Sequence, residues 1–339
     1  MSNAVYSQIA EMCLRLDGED ARLDEAAITN GTLFVSRELT QVRNRVYEVK
    51  YPELKAMSFI PIATDIDPLF DTYEYYSTDS YGQARIMHKN QRDFPMVSAG
   101  TTSHTGKVVT LGLGYNYTLS EIRLAMRLGK PLQDTLAKAA RRGHMTSIDE
   151  LLCTGKLAST GQTADDLGGF INSSLVNKDL ILHNWLSTGS TPTSVQIYDD
   201  MSRVVANVSV RTKGLFEADT LLMAPELFRV IQDTLMFSSG SETTILQSFL
   251  KNHPGVNVAQ WAALSSTGDG TIGTSGYHQM IAYPRDPTVV EGVVPLEFEQ
   301  LPPQMDGLNT DVPCQSRCGG VKFYVPGAVE YAFVNHSIT

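Results

Sequence analysis

A chain of 339 residues, 42% hydrophobic and 19% charged, can bury the core of about two domains, which excludes a disordered chain and a disulfide-stapled miniprotein. Twenty-seven Lys and Arg against 37 Asp and Glu leave a net charge of -10, so the chain as a whole repels a phosphate backbone and tight nucleic-acid binding by its whole surface is not expected. Glu11 and Asp17 stand where a secretory leader would be basic and apolar, and no apolar run approaches the roughly 18 residues of a membrane span; the expectation is no membrane partner.

Val5, Ile9, Met12 and Leu16 fall on one face of a short helix, followed by Asp17, Glu19, Asp20, Asp24 and Glu25. Such an acidic amphipathic arm cannot bury its apolar face alone and must dock on its own body or on a neighbouring subunit. Phe34, Leu39, Val42 and Val46 extend a helix-like stripe, which Pro52 ends. Helical periodicity is absent over 64–118. Tyr73, Tyr75 and Tyr76 run into the turn-forming Ser77, Thr78, Asp79 and Ser80, and Val109, Leu111, Leu113, Tyr115 and Tyr117 alternate with small or polar residues. The pattern predicts a long β-hairpin whose return strand is 109–118, with 90–107 as a polar surface connection, an element that projects for partner contact.

Thr118 and Glu121 have capping-box spacing, Gly129 stops the helix they start, and Pro131 opens another. Leu132, Leu136, Ala139, Ala140, Ile148, Leu151 and Leu152 line that second helix, with Gly143 inside it. Arg123, Arg127, Lys130, Lys138, Arg141 and Arg142 make this stretch distinctly basic. It reads either as a solvated face that pairs with the acidic arm or as a weak phosphate-facing surface. Residues 158–169 form a loop before short structure over 170–185. Pro192 starts a helix with Tyr198, Met201, Val205 and Val208 on one face, closed at Gly214; 220–223 is a buried strand; Pro225 opens a helix and 243–252 forms another. From Met280 onward prolines punctuate strands, and Val321, Phe323 and Val325 alternate before a turn at Pro326 and Gly327.

The chemistry is sparse. Gly268, Gly270 and Gly273 have dinucleotide-loop spacing but lead into another strand instead of a helix N-terminus, so they read as a glycine loop. His88, His104, His144, His183, His253, His278 and His336 stand singly, and no nucleophile stands out. Asp65 with Asp67, Asp165 with Asp166, and Asp199 with Asp200 read as surface acids. Cys13, Cys153, Cys314 and Cys318 fit a reducing compartment, and Cys314, Cys318 and His336 fall short of the four ligands zinc requires. No catalytic, cofactor-binding or metal residue is assigned, and the expectation is that the chain is not an enzyme.

Phe34-Val35-Ser36-Arg37-Glu38-Leu39, Tyr51-Pro52-Glu53-Leu54-Lys55, Tyr117-Thr118-Leu119-Ser120-Glu121-Ile122-Arg123 and Leu301-Pro302-Pro303-Gln304 resemble segments of tailed-phage and prophage major capsid proteins. Val312-Pro313 and Gly319-Gly320-Val321 extend the likeness. It implies an α+β chain of the Hong Kong 97 type. On that resemblance 1–55 is an N-terminal arm, 56–117 an extended loop and 118–190 a peripheral domain with its spine helix. An axial domain then fills 191–308, and 309–339 is a C-terminal strand returning to the peripheral domain. The resemblance implies a shell subunit forming pentamers and hexamers of an icosahedral head, in the host cytoplasm during assembly and then in the virion capsid. Neighbouring subunits would be met through the arm and the extended loop. Portal, scaffolding and decoration proteins are further partners, and packaged double-stranded DNA is contacted weakly and without sequence preference. A start of 33 residues before Phe34 leaves little room for a scaffold, and no motif carries covalent crosslinking to Lys89 or Lys107. Two alternatives stay open: an encapsulin-like compartment shell, and a soluble α/β enzyme with an unrecognised site.

Overall fold

The computed structural model describes residues 53–63, 65–86, 96–128, 132–157, 167–187, 192–236, 243–265 and 277–335. All belong to the unit Glu53–Thr339; the expected arm as far as Pro52, the 268–273 glycine loop, Lys89 and Lys130 lie outside the described residues. A one-turn helix α1 (Ala56–Phe59) and β1 (Ile62–Ala63) lead into β2 (Thr72–Tyr81), β3 (Ser98–Lys107) and β4 (Val109–Thr118). Helices α2 (Leu119–Leu128) and α3 (Leu132–Thr154) follow, then β5 (Asn177–Leu180), α4 (Ser194–Arg211), β6 (Thr220–Met223), α5 (Pro225–Asp233), α6 (Ile245–Asn252) and β7 (Asn257–Gln260). The remaining strands are β8 (Tyr277–Tyr283), β9 (Val290–Val293), β10 (Leu296–Gln300), β11 (Gln304–Asp306), β12 (Asn309–Cys318), β13 (Gly320–Phe323) and β14 (Glu330–Asn335).

Two sheets carry the body. A five-stranded sheet runs in the order β5-β14-β8-β6-β7, with α4 packed on β8 and β14. All four residues of β6 are buried, as expected of a strand covered on both faces. In the second sheet β12 pairs with β10 and β11 along one edge and with β4 along the other, and α3 lies across β4, β10 and β12. Ile148, Leu151 and Leu152 near the end of α3 are fully buried, joining this sheet to the main core. Segment 167–176 closes the junction. Phe170 donates its N–H to the Leu152 carbonyl at 2.9 Å and sets its ring against Tyr283, Trp261 and Phe323, while Tyr331 donates its hydroxyl to the Phe170 carbonyl.

The capping signals act as their spacing implies. Glu121 accepts from the Thr118 N–H at 2.9 Å and donates its own N–H to the Thr118 hydroxyl at 3.2 Å, so the end of β4 becomes the start of α2. In α4 the start differs from expectation by two residues: Thr193, boxed with Gln196, is the cap, and Pro192 lies outside the helix. A hydroxyl that satisfies a free N–H outweighs the preset dihedral of proline here.

Three pairings differ from the sequence reading. The return strand of the hairpin is β3 and not 109–118: β2 pairs with β3 throughout, whereas β4 pairs with β12 over its whole length. Periodicity reveals that a strand has one buried face without naming its partner, and the Ser, Thr, Ala and Gly residues of β3 carry no alternation because both faces meet solvent. The single returning strand expected over 309–339 is three strands that part ways, β12 joining β4 and β14 inserting between β5 and β8. Strand β5 consequently shares a sheet with the elements of 191–308 instead of with α3.

Two glycines with positive φ separate crowding from dihedral preference. At Gly155 (φ +70°) an added Cβ would fall 2.1 Å from the Leu167 carbonyl oxygen, whereas at Gly214 (φ +79°) it would meet nothing within 4 Å. Gly214→Ala should therefore cost about 1–2 kcal/mol, the left-handed penalty alone. Gly155→Ala should cost about 1–3 kcal/mol beyond that through overpacking; urea unfolding of the dissociated subunit measures both.

Candidate assembly interface

Strands β2 and β3 form a ribbon of ten pairs, from Thr72 opposite Lys107 to Tyr81 opposite Ser98. At about 3.4 Å per residue it reaches roughly 30 Å. Beyond its first few residues both faces are exposed, and its cross-strand contacts are polar: Thr78 with Thr101 at 3.2 Å and Ser77 with His104 at 3.0 Å. A two-stranded ribbon with no buried face is marginal in water. Its far end is nevertheless apolar, with Ile86 96%, Met96 86% and Val97 76% exposed.

The root of this finger is where it is held. Tyr73 packs against a small cluster of Ala63, Val108 and Val293. Tyr75 stacks on His104 and meets the ring of Tyr324 edge-on, both with centroids 5.0 Å apart. Arg317 of β12, 8% exposed, donates to the Asp71 carboxylate and to the Pro68 carbonyl, and the Val108 N–H donates to the Asp71 carbonyl at 2.8 Å. Tyr324 donates its hydroxyl to Glu291 at 3.0 Å. Burial holds the Glu291 carboxyl above its ordinary 4.5, the Tyr324 bond opposes this, and the Asp65 charge adds to it. Burial also pushes the Tyr73 phenol far up. Tyr73 and Tyr75 fall in the predicted hairpin, but no local pattern marks Asp71, Glu291, Arg317 or Tyr324; Arg317 and Asp71 are 246 positions apart.

Other surfaces are also unfilled. No described side chain of α2 is buried, although Leu119 and Leu124 are 41% and 57% exposed. Strand β5 is an edge of its sheet, and Leu175, Leu180 and Leu182 along it are exposed. Exposed apolar groups on an open edge mark contact surfaces.

The candidate chemistry disperses. His144 bonds Ser316 at 2.8 Å, His183 bonds Asp200 at 3.0 Å and His253 bonds Ser202 at 3.2 Å. Ser265 donates to Glu226 at 2.7 Å while His278 lies 3.5 Å from that same carboxylate, so the acid sits between hydroxyl and imidazole, unlike a hydrolytic triad. Asp200, expected at the surface, is buried and accepts also from the Trp185 indole at 3.1 Å, a structural role. Cys314 and Cys318 are buried in β12. Arg123, Arg127, Lys138, Arg141 and Arg142 are exposed along α2 and α3. Asp165, Asp166, His88 and His336 lie outside the described residues.

A body with a projecting ribbon, a long helix crossing one sheet and a second mixed sheet is the architecture of a shell-forming structural protein of the Hong Kong 97 type. Residues 82–332 match the family model described as major capsid protein, and the chain belongs to that family. It is a subunit of a capsid shell, a structural protein and not an enzyme. The fold is similar to that of the capsid of Myoviridae phage XM1 at 15% identity and TM-score 0.75, covering 88% of this chain and 97% of that one. It is similar too to the structures titled Mycobacterium phage Adephagia, at 12% identity, TM-score 0.57, 91% and 98% coverage, and Gordonia phage Cozz, at 11%, 0.58, 93% and 96%. No curated protein sequence matches.

Arg317→Met should loosen the finger at its root, because hydrogen bonds to charged groups contribute about 1.5–3 kcal/mol. Amide exchange in β2 and β3 should quicken while that of β6 and β8 stays unchanged. For Glu291, a raised folded-state pKa means its contribution to stability is full below 4.5 and is lost as pH rises through the folded value. Glu291→Gln should flatten that decline in a series of urea melts across pH.

Proposed function

We propose that this subunit assembles into pentamers and hexamers of an icosahedral head around double-stranded DNA, and that its finger lies over the neighbouring subunit. On this reading 56–117 is the extended loop, α3 the spine helix of a peripheral domain that begins at 118, and 191–308 the body of an axial domain. The arm, 1–55, is a second element reaching toward neighbours. The observation that carries the reading is the finger itself, ten residue pairs long, exposed on both faces and apolar at its far end. Order in such a ribbon is supplied by whatever covers it, and a shell repeats each modest contact by symmetry. The net charge of -10 suits an inner wall that releases its DNA, and leaves portal, scaffolding or decoration proteins to meet the same shell by surface contacts.

Size-exclusion chromatography with negative-stain electron microscopy on the full chain expressed alone tests this. Closed shells or rings of five and six are expected. Deleting 77–102, which leaves Tyr73, Tyr75 and His104 of the root in place, should abolish them while the subunit still unfolds cooperatively. A stable monomer at every concentration would overturn the assembly reading.

A further inference from the structure

The layer formed by α3 and the sheet of β4, β10, β11 and β12 carries opposite charge on its two sides. Ser316 and Phe298 contact His144 of α3, so alternation turns Asp311 of β12, and Glu299 of β10 in register with Gln315, to the side away from the helix. Asp306 of β11, opposite Asn309, joins them, and all three carboxylates are exposed. The cation in register on that side, Arg317, is held by Asp71. That side is acidic.

The helical side is the reverse. Ala140 and His144, one turn apart, are buried, and an added Cβ on Gly143 would strike the Leu113 side chain of β4. At 3.6 residues per turn Lys138 then stands on the far arc of α3 and Arg141 on its flank, and both are exposed. Helix α2 adds Arg123 and Arg127, four apart on one face and exposed. The two carboxylates in this stretch do not cancel them: Glu121 is turned back onto the Thr118 N–H, and Asp134 is a single charge one turn before Lys138. Among the described residues Arg123, Arg127, Lys138 and Arg141 form no ion pair, whereas Arg142 has a contact of its own. In a chain of net charge -10, four exposed cations on two successive helices reverse the local sign.

We infer that Arg123, Arg127, Lys138 and Arg141 form a phosphate-contact stripe for packaged duplex DNA, and that α2 and α3 therefore line the inner wall of the shell while the acidic side of β10, β11 and β12 is turned away from it. The inference rests on the shell reading and adds which residues meet DNA and which side of the subunit faces it. Each cation set on a phosphate releases a condensed counterion, so four of them give a contact that is indifferent to base sequence and steeply dependent on salt. No Phe, Tyr or Trp occurs over 119–147, so no ring is present there to stack on unpaired bases, and the stripe suits an intact duplex. The acidic remainder of the surface repels the duplex, which confines the contact to this side and keeps it light enough to release.

Fluorescence anisotropy of a labelled duplex with the dissociated full chain tests the stripe. The slope of log K against log salt should be about -0.9 per phosphate contacted, and Arg123→Gln, Arg127→Gln, Lys138→Gln and Arg141→Gln together should weaken binding about tenfold or more and make that slope shallower by about 2–4. Removing as many exposed cations elsewhere, by Lys178→Gln, Lys213→Gln, Arg229→Gln and Lys251→Gln, should change affinity less than about threefold, because charges beyond a Debye length are screened. An equal loss in both sets would reduce the effect to net charge and overturn the stripe. Lost assembly in the first set with duplex affinity unchanged would assign the face to a protein contact and overturn it too. Sidedness has its own readout. Assembled Arg141→Cys particles should react with a small maleimide and not with a polyethylene-glycol maleimide too large to enter, while dissociated subunits react with both and the parent chain gives the background of its own cysteines. Closed particles that react with both reagents, or with neither, would overturn the inward placement while leaving the shell function intact. A wild-type chain that never assembles would overturn the shell reading, and with it the inward placement, whatever the duplex measurement shows.

Discussion

A ribbon of two strands with solvent on both faces cannot hold itself by burial, and the organisation of this molecule follows from that constraint. The finger is anchored at one end, where Arg317 grips Asp71 and the Pro68 carbonyl and Tyr73, Tyr75 and Tyr324 close over a small apolar cluster. Arg317 belongs to β12, the strand that also pairs with β4 over ten positions and faces α3 through Ser316. A single strand therefore couples the finger root, the long helix and the sheet that receives them. Toward the other end of the finger Ile86, Met96 and Val97 are exposed, and on the proposed reading a neighbouring subunit buries them.

The rest of the body is built to stay rigid under that arrangement. Segment 167–176 threads between the end of α3 and the five-stranded sheet, with Phe170 surrounded by aromatic rings and its backbone held at both ends. Glu330, fully buried in β14, accepts from Asn177 at 3.0 Å and pairs with Arg211 at 3.2 Å, tying β5 and α4 to the sheet. Its carboxyl is nonetheless held above the ordinary range by burial, with Arg211 the largest opposing influence. Buried polar groups satisfied in this way specify one arrangement more than they add stability.

Much of this was legible in the sequence wherever the signal is local. The alternation of Val109 to Tyr117, the buried run Thr220 to Met223, the Thr118 box and the apolar stripe of α3 all follow from side-chain period and cap chemistry. Partners were not legible. Strand β4 announces one apolar face, half-buried in the fold except at the exposed Leu113, yet its partner β12 lies far along the chain; β3 announces nothing, because a strand exposed on both faces has no period; β14 is hidden behind a proline turn and resolved only by the neighbours it separates. The finger root was invisible for the same reason, since Asp71, Glu291, Arg317 and Tyr324 converge from three distant stretches. Resemblance to capsid segments supplied what pattern could not, the function, and the family match over 82–332 bears it out.

The central claim is that the finger is completed by a neighbour. Hydrogen exchange on β2 and β3, compared between dissociated subunits and assembled particles, addresses it most directly. The account predicts fast exchange along Tyr76 to Tyr81 and Ser98 to His104 in the free subunit and strong protection after assembly, with β6 and β8 protected in both. Equal protection of the finger in both states would contradict it.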